Sequence, residues 1–403
     1  MRAVIVGSGL AGIMAAKTLR ELDPGVEIEI FGEEKYPYYP RPNLIEFLAG
    51  RLPFERLFAF PADWSSRQRI EIHPGLSVAR IRPADKTIET ADGAPVPYDV
   101  LLLANGSRAF VPPLRGAGLK GVFVLRTIDD ARAILDRLKE RPRTVVLGGG
   151  LLGIEIACAL KAAGAEVGVV EIFDRLLPRH LDPDGAAILK RQIEKTGVEL
   201  RLATATEEIL GEGEATGLRF QGGGRMEADS VVIAAGIKPG IEAAREAGLA
   251  VGRGVVTDDR LRSNAAGIFA AGDVAEHRGS VYGIIPAAFE QARAAAFNML
   301  GMDMPYAGTA PSSTLKVAGT SVTSVGVVTP VGAGYEFLTR FRPEENVYKK
   351  IILKDGLIVG AIWMGTRKGA AEISRLVAVN KNVDRWKEGL LEDTFDWSGV
   401  ETP

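Results

Sequence analysis

Ala3-Val4-Ile5-Val6-Gly7-Ser8-Gly9-Leu10-Ala11-Gly12 is an apolar run that ends in the pattern GxGxxG. The apolar part reads as a short buried strand. Leu10, Ile13, Met14 and Leu19 then recur at helical spacing until Asp23-Pro24-Gly25 stops the helix. A glycine turn between a strand and a helix is a cradle for phosphate. Gly7 permits the tight turn, Gly9 lets backbone N–H groups approach a pyrophosphate, and Gly12 lets the helix lie close on its sheet. The N-terminus of the helix, with its unpaired N–H groups and positive dipole end, favours the anion. The same unit returns where Thr144-Val145-Val146-Leu147 leads into Gly148-Gly149-Gly150-Leu151-Leu152-Gly153 and a helical stretch to Ala163. Two copies predict two dinucleotide sites.

Each copy is followed by an acid at the end of the next strand. Residues 26–31 alternate apolar residues with Glu27 and Glu29 and run into Gly32-Glu33-Glu34-Lys35, while residues 166–170 run into Glu171. A carboxylate at such a strand end can accept hydrogen bonds from an adenosine ribose. At the second site it would also repel the 2′-phosphate of NADPH, so Glu171 points to NADH. Arg175 keeps NADPH open, because an arginine can neutralise that phosphate.

Between the two copies, Tyr36-Pro37-Tyr38-Tyr39-Pro40-Arg41-Pro42-Asn43-Leu44 is a rigid loop. Its Arg41 fork could pair with a diphosphate, or the loop could simply pack its tyrosines. Residues 70–88 suggest short strands. Three later strands end in small residues that let backbone approach a ligand: at Ala104-Asn105-Gly106, at Ala235-Gly236 and at Gly272-Asp273. Pro286 begins an alanine-rich helix that includes Ala288 and Phe289. From Pro311 onward, strands at residues 315–317, 321–328 and 336–342, a hairpin at 347–362 and a helix at 370–380 predict an α+β module.

With 403 residues the chain has room for two or three domains, and 49 basic residues against 51 acidic ones give no global reason to expect nucleic acid or an anionic membrane. One cysteine, Cys158, cannot form an intrachain disulfide, which predicts a cytoplasmic protein, and its apolar neighbours suit a buried, inert thiol. Arg2 and the apolar run after it have the outline of a leader, but the glycine spacing accounts for the same residues. No stretch approaches the roughly 18 apolar residues of a membrane span. His73, His180 and His277 lie far apart, so spacing offers no metal-ligand cluster and no metal is expected. The C-terminal module is basic up to residue 388 and acidic beyond it. Its basic residues could steer an acidic partner, or form a solvated surface over which the tail folds back.

Gly7–Gly12, Glu34–Leu44, Leu102–Ser107 and Ile268–Asp273 together resemble the flavoprotein reductases of the glutathione-reductase structural class. Within that class the chain is similar to NADH:rubredoxin and ferredoxin reductases and to the reductase part of NADH-dependent nitrite reductases. The resemblance implies an α/β fold with two Rossmann-like dinucleotide-binding domains, each a three-layer ββα unit, and a C-terminal α+β domain. FAD would bind to residues 1–110 and 237–308, NADH to 111–236, and residues 309–403 would form an interface domain compatible with a homodimer.

By the same resemblance Gly7, Gly9, Leu10, Ala11 and Gly12 hold the FAD diphosphate, Glu34 its ribose and Val78 lies beside adenine, and Lys35 and Arg41 are expected among the FAD-binding residues. Ala104, Asn105 and Gly106 replace a usual Ala-Thr-Gly, Gly272 and Asp273 meet the ribityl chain, and Ala288 and Phe289 face the flavin. Gly148, Gly150, Leu151, Leu152, Gly153, Glu171, Ala235 and Gly236 would hold NADH. Glu155 is expected beside nicotinamide and flavin, with Glu46 where many relatives have a lysine. No cysteine falls between Tyr36 and Gly50, so electrons are expected to leave FAD directly for a small acidic carrier such as rubredoxin or ferredoxin. A flavin oxidase passing electrons to O2 or a quinone, and an NADH-sensing flavoprotein, are the alternatives.

Overall fold

The computed structural model describes residues 1–317 and 319–400. They form two compact units, the first made of Met1–Leu44, Leu52–Phe110 and Ile237–Thr309, the second of Ile45–Arg51, Val111–Gly236 and the chain from Ala310.

The first unit is built on a five-stranded parallel sheet. Its order is Ile268–Ala270, Val100–Leu103, Arg2–Val6, Glu27–Gly32 and Ile70–Pro74. Strands buried on both faces need near-continuous apolar residues, and Ala3-Val4-Ile5 and Leu101-Leu102-Leu103 supply them. On one face Leu10–Leu22 packs against Ile285–Met299, and their alanines bring the two helices close over Ile5, Ile30 and Leu102. On the other face Val4, Phe31, Leu101 and Leu103 pack with Ile81 and Ile88 from a small antiparallel sheet, Val78–Arg82, Thr87–Thr90 and Pro95–Pro97. The unit is therefore three layers, ββα. Register aligns the strand ends: Val6 lies beside Phe31 and Leu103, and Leu103 beside Ala270. Gly7, Gly32, Ala104 and Ala271 thus follow along one edge, the carboxyl end where open α/β sheets bind ligands.

The second unit repeats the plan. Its parallel sheet runs Glu199–Arg201, Glu166–Val170, Arg143–Leu147, Ser230–Ile233 and Val122–Phe123, with an antiparallel trio, Thr206–Leu210, Gly217–Phe220 and Arg225–Glu227, sharing a core on one side. Leu147 pairs with Val170 and Ile233, which aligns Gly148, Glu171 and Ala234 at the carboxyl edge. The same unit carries the C-terminal module, an antiparallel sheet in the order Ser312–Val317, Thr320–Gly326, Leu357–Met364, Val347–Lys354 and Tyr335–Arg342 with the helix Ala370–Ala378 against it. Part of the basic character read there is neutralised within the unit. Arg340 pairs with Glu392, Lys387 with Glu336 and Asp384, Lys350 with Asp182, and the buried Lys349 with Asp393. No helix of the described residues is long and apolar enough to cross a membrane.

Candidate functional site

The two glycine turns have one geometry. Gly7 has φ +110° and Gly148 φ +119°, and a Cβ on either would lie 2.3 Å from Ala104 O or 2.5 Å from Ala234 O. Only glycine fits where strand end, turn and neighbouring strand converge. A Cβ on Gly12 or Gly153 would sit 1.9 Å from the carbonyl oxygen of Gly7 or Gly148, so these glycines set how closely each helix approaches its sheet.

The middle glycines behave differently. Gly9 and Gly150 are extended helix N-caps, their Cβ directions open into empty space, and neither helix has a capping side chain or an acid in its first turn. Each turn therefore aims the uncapped N-terminal N–H groups of its helix at open space, the arrangement a diphosphate fits.

Around the first turn the unit gathers the other sequence-identified residues. Ser8, Gly9, Leu10, Glu34, the loop Tyr36 to Arg41, Ile285 and Phe289 line one cleft of about 230 Å3. Glu34 accepts hydrogen bonds from the Tyr39 hydroxyl and the Arg41 guanidinium, both at 2.5 Å. Lys35 lies over the Tyr36 ring, and Val78 opens the small antiparallel sheet. Asn105 donates to Gly240 O at 2.6 Å, and Gly106 takes the positive φ of its turn. Gly272, at φ +80°, faces Ala11 and Ala288. Asp273 accepts from Ser107 Oγ at 2.7 Å. Sequence reasoning missed Gln291, a buried amide whose oxygen accepts the Gly272 N–H at 2.8 Å. Its position nearly two turns into an alanine-rich helix was the available signal.

At the second turn Glu171 is buried. Its carboxylate accepts the N–H of Gly149 at 2.6 Å and that of Phe173 at 2.9 Å, so the acid fixes the glycine turn itself. Arg175 forms an ion pair with Asp174 at 2.8 Å. Leu151 and Leu152 begin the helix, and Ala235 and Gly236 follow the strand Ser230–Ile233, with Gly236 at φ +114°.

The two acids expected near the chemistry belong to the second unit. Arg51, which sequence reasoning overlooked, grips Glu46 through Nε at 2.7 Å and Nη2 at 2.9 Å. That fork holds the Glu46 carboxyl below its ordinary range. Glu155 goes the other way: burial first, then the Glu46 charge, pushes it up to about 7. Burial and the neighbouring Glu155 push the Cys158 thiol up to about 11, which leaves it protonated and unreactive at neutral pH.

Two repeated α/β sheets, each with an open glycine turn at its carboxyl edge, and an added α+β module make up the architecture of a pyridine nucleotide oxidoreductase. The chain belongs to the pyridine nucleotide-disulphide oxidoreductase family, which it matches over residues 1–296. Residues 311–381 match the rubredoxin NAD+ reductase C-terminal domain. The cofactors of that family, FAD and a nicotinamide dinucleotide, are those of this chain.

Among its relatives is a nitrite reductase [NAD(P)H] of Bacillus subtilis, 36% identical over 364 residues that cover 90% of this chain and 45% of the relative. The NADH-rubredoxin oxidoreductase of Clostridium acetobutylicum is 28% identical over 382 residues, covering 94% of this chain and 95% of the relative. The reductase in the covalent putidaredoxin reductase–putidaredoxin complex superposes with a TM-score of 0.90 at 25% identity, covering 99% of this chain and 97% of that one. The chain spans about half the length of the nitrite and nitrate reductase relatives it matches.

Proposed function

We propose that the chain takes reducing equivalents from NADH and delivers them, through bound FAD and without a sulfur intermediate, to a small redox protein of the rubredoxin or ferredoxin type. The observation that carries this reading is the state of the one cysteine. Disulfide reductases need a Cys pair and peroxidases of this architecture need a reactive thiolate, whereas Cys158 is alone and its thiol is held up to about 11. FAD supplies the chemistry when bound, accepting hydride from nicotinamide and releasing electrons onward.

The protein's part is binding, orientation and charge. The first turn, from Gly7 to Gly12, binds the FAD diphosphate. Glu34, braced by Tyr39 and Arg41, receives the adenosine ribose, with Lys35 and Val78 alongside. Ala104 to Gly106 and Gly272-Asp273 align the rest of the molecule, and Ala288 and Phe289 bring the N-terminus of their helix to the flavin, where its positive end favours negative charge. The second turn, Gly148 to Gly153 with Ala235 and Gly236, binds NADH. Glu171 lies at its strand end for the 2′-hydroxyl, and Arg175, occupied by Asp174, supports NADH over NADPH. Glu155, protonated up to about pH 7, and Glu46, ionised and clamped by Arg51, set the charge beside the nicotinamide. A single cysteine fits a reducing, cytoplasmic setting, and the C-terminal module is the surface for a homodimer or for the acceptor.

Anaerobic reduction with NADH followed by either rubredoxin or air tests the reading. Rapid reoxidation by rubredoxin and slow reoxidation by air are expected. Rapid reoxidation by air alone would make the protein a flavin oxidase, and slow reoxidation by both would make it a sensor.

A further inference from the structure

Sequence spacing shows no metal-ligand set, yet the parallel register of Glu27–Gly32 with Ile70–Pro74 places Glu29 beside Glu71 and Phe31 beside His73. All four side chains stand on one face of this sheet edge. The His73 ring stacks on Phe31, with centroids 4.5 Å apart and planes 13° off parallel, which fixes where its Nε2 points. That nitrogen lies 3.5 Å from Glu29 Oε2 and 3.6 Å from Glu71 Oε1. It is shut off from water and has no hydrogen-bond partner among the described residues.

These separations are too long for N–H···O hydrogen bonds, which run about 2.7–3.2 Å. They match the edges of a tetrahedron around an ion whose bonds to nitrogen and oxygen are about 2.0–2.2 Å, edges of roughly 3.3–3.6 Å. The three candidate ligand atoms all lie within 4.8 Å of one another. Glu29 is also oriented from behind: Arg2 holds its Oε1 through Nη2 at 2.6 Å and Nε at 2.7 Å, which leaves Oε2 for the His73 side. Such a partner behind a ligand is the usual support of a metal site.

We propose that Glu29, Glu71 and His73 bind one divalent transition-metal ion of the zinc type, with solvent completing its coordination, and that the ion clamps the edge strand Ile70–Pro74 to the FAD-domain sheet. Imidazole with carboxylates selects zinc-type ions over magnesium or calcium, which take oxygen ligands alone. Two carboxylates offset the ion's charge, and the exposed Glu71 leaves an entry path. The site is independent of the electron-transfer reading.

The test uses the full chain, loaded with FAD and freed of metal. Calorimetric titration with Zn2+ is expected to show stoichiometric binding at micromolar concentrations and a raised thermal midpoint, with Co2+ giving visible absorption of an imidazole–carboxylate site. Glu71→Gln and His73→Gln each weaken binding about 100-fold, and Arg2→Gln about tenfold. The flavin spectrum reports folding. Glu71 is exposed, so Glu71→Gln decides the matter if His73→Gln does not fold. Absence of binding at about 0.1 mM Zn2+, or equal binding by wild type and both ligand variants, overturns the proposal.

Discussion

The two glycine turns share a backbone and differ in what fills the space beside them. In the first, Ser8 occupies that space, and a Cβ on Gly32, the residue ending the next strand, would lie 2.4 Å from Ser8 Oγ. In the second the pair is inverted: Gly149 leaves the space and Glu171 fills it, with a Cβ on Gly149 only 3.1 Å from Glu171 Cβ. Register makes these positions equivalent, since Phe31 and Val170 stand alike beside Val6 and Leu147. The first site must therefore carry its acid two residues later, as Glu34, braced by Tyr39 and Arg41. The second carries it inside the turn. In the proposed reading, this difference in where the strand-end carboxylate is set adapts one turn geometry to two dinucleotides.

The strongest test of that comparison removes each cradle separately. Alanine at Gly7 or Gly148 meets a backbone oxygen within 2.5 Å and a positive φ, and the φ alone costs of order 1–3 kcal/mol. Gly7→Ala is expected to purify without flavin. Gly148→Ala should keep its flavin, while KM for NADH rises about tenfold or more. Absorbance spectra and steady-state kinetics separate the two; flavin loss in both variants alike would erase the division of labour.

A smaller effect is expected at Glu171. Glu171→Ala deprives two backbone N–H groups of a charged acceptor, a loss of about 1.5–3 kcal/mol. The thermal midpoint should fall and the preference for NADH over NADPH should narrow, with Glu171→Gln intermediate. An unchanged NADH to NADPH ratio in both variants would mean that the acid serves the turn alone.

Glu155 gives the third test. Its folded value of about 7 stands above the ordinary carboxyl value of 4.5, so the folded protein binds more protons than the unfolded chain between these values. The stability it contributes is full below about pH 4.5 and is lost as pH rises toward 7. Glu155→Gln should remove that loss, gaining about 1–3 kcal/mol near pH 8 relative to wild type. Glu46→Gln should move the inflection to lower pH, because it removes the second cause of the shift. Denaturant unfolding across pH measures both.

Much of this was legible in the chain because glycine spacing, strand-end small residues and acids are local signals. The turns at Gly7 and Gly148, the strands ending at Ala104 and Gly272, and the α+β module were all read that way. What escaped notice depends on register or side-chain direction. Arg51 becomes the partner of Glu46 only once the short helix Asn43–Leu48 ends and the chain turns back. Glu171 turns its carboxylate into its own glycine loop because Gly149 leaves room. Glu29 and His73 meet only because two parallel strands align residues distant in sequence. The tail that the sequence offered as a cover for the basic C-terminal surface supplies Glu392 and Asp393 to Arg340 and Lys349.

The central claim, electron flow between two dinucleotides with no sulfur relay, is tested most directly by anaerobic NADH titration of the FAD-loaded Cys158→Ala variant. Stoichiometric bleaching of the flavin band is expected, at a rate within about twofold of wild type. A flavin that NADH no longer reduces, while wild type is reduced, would contradict it.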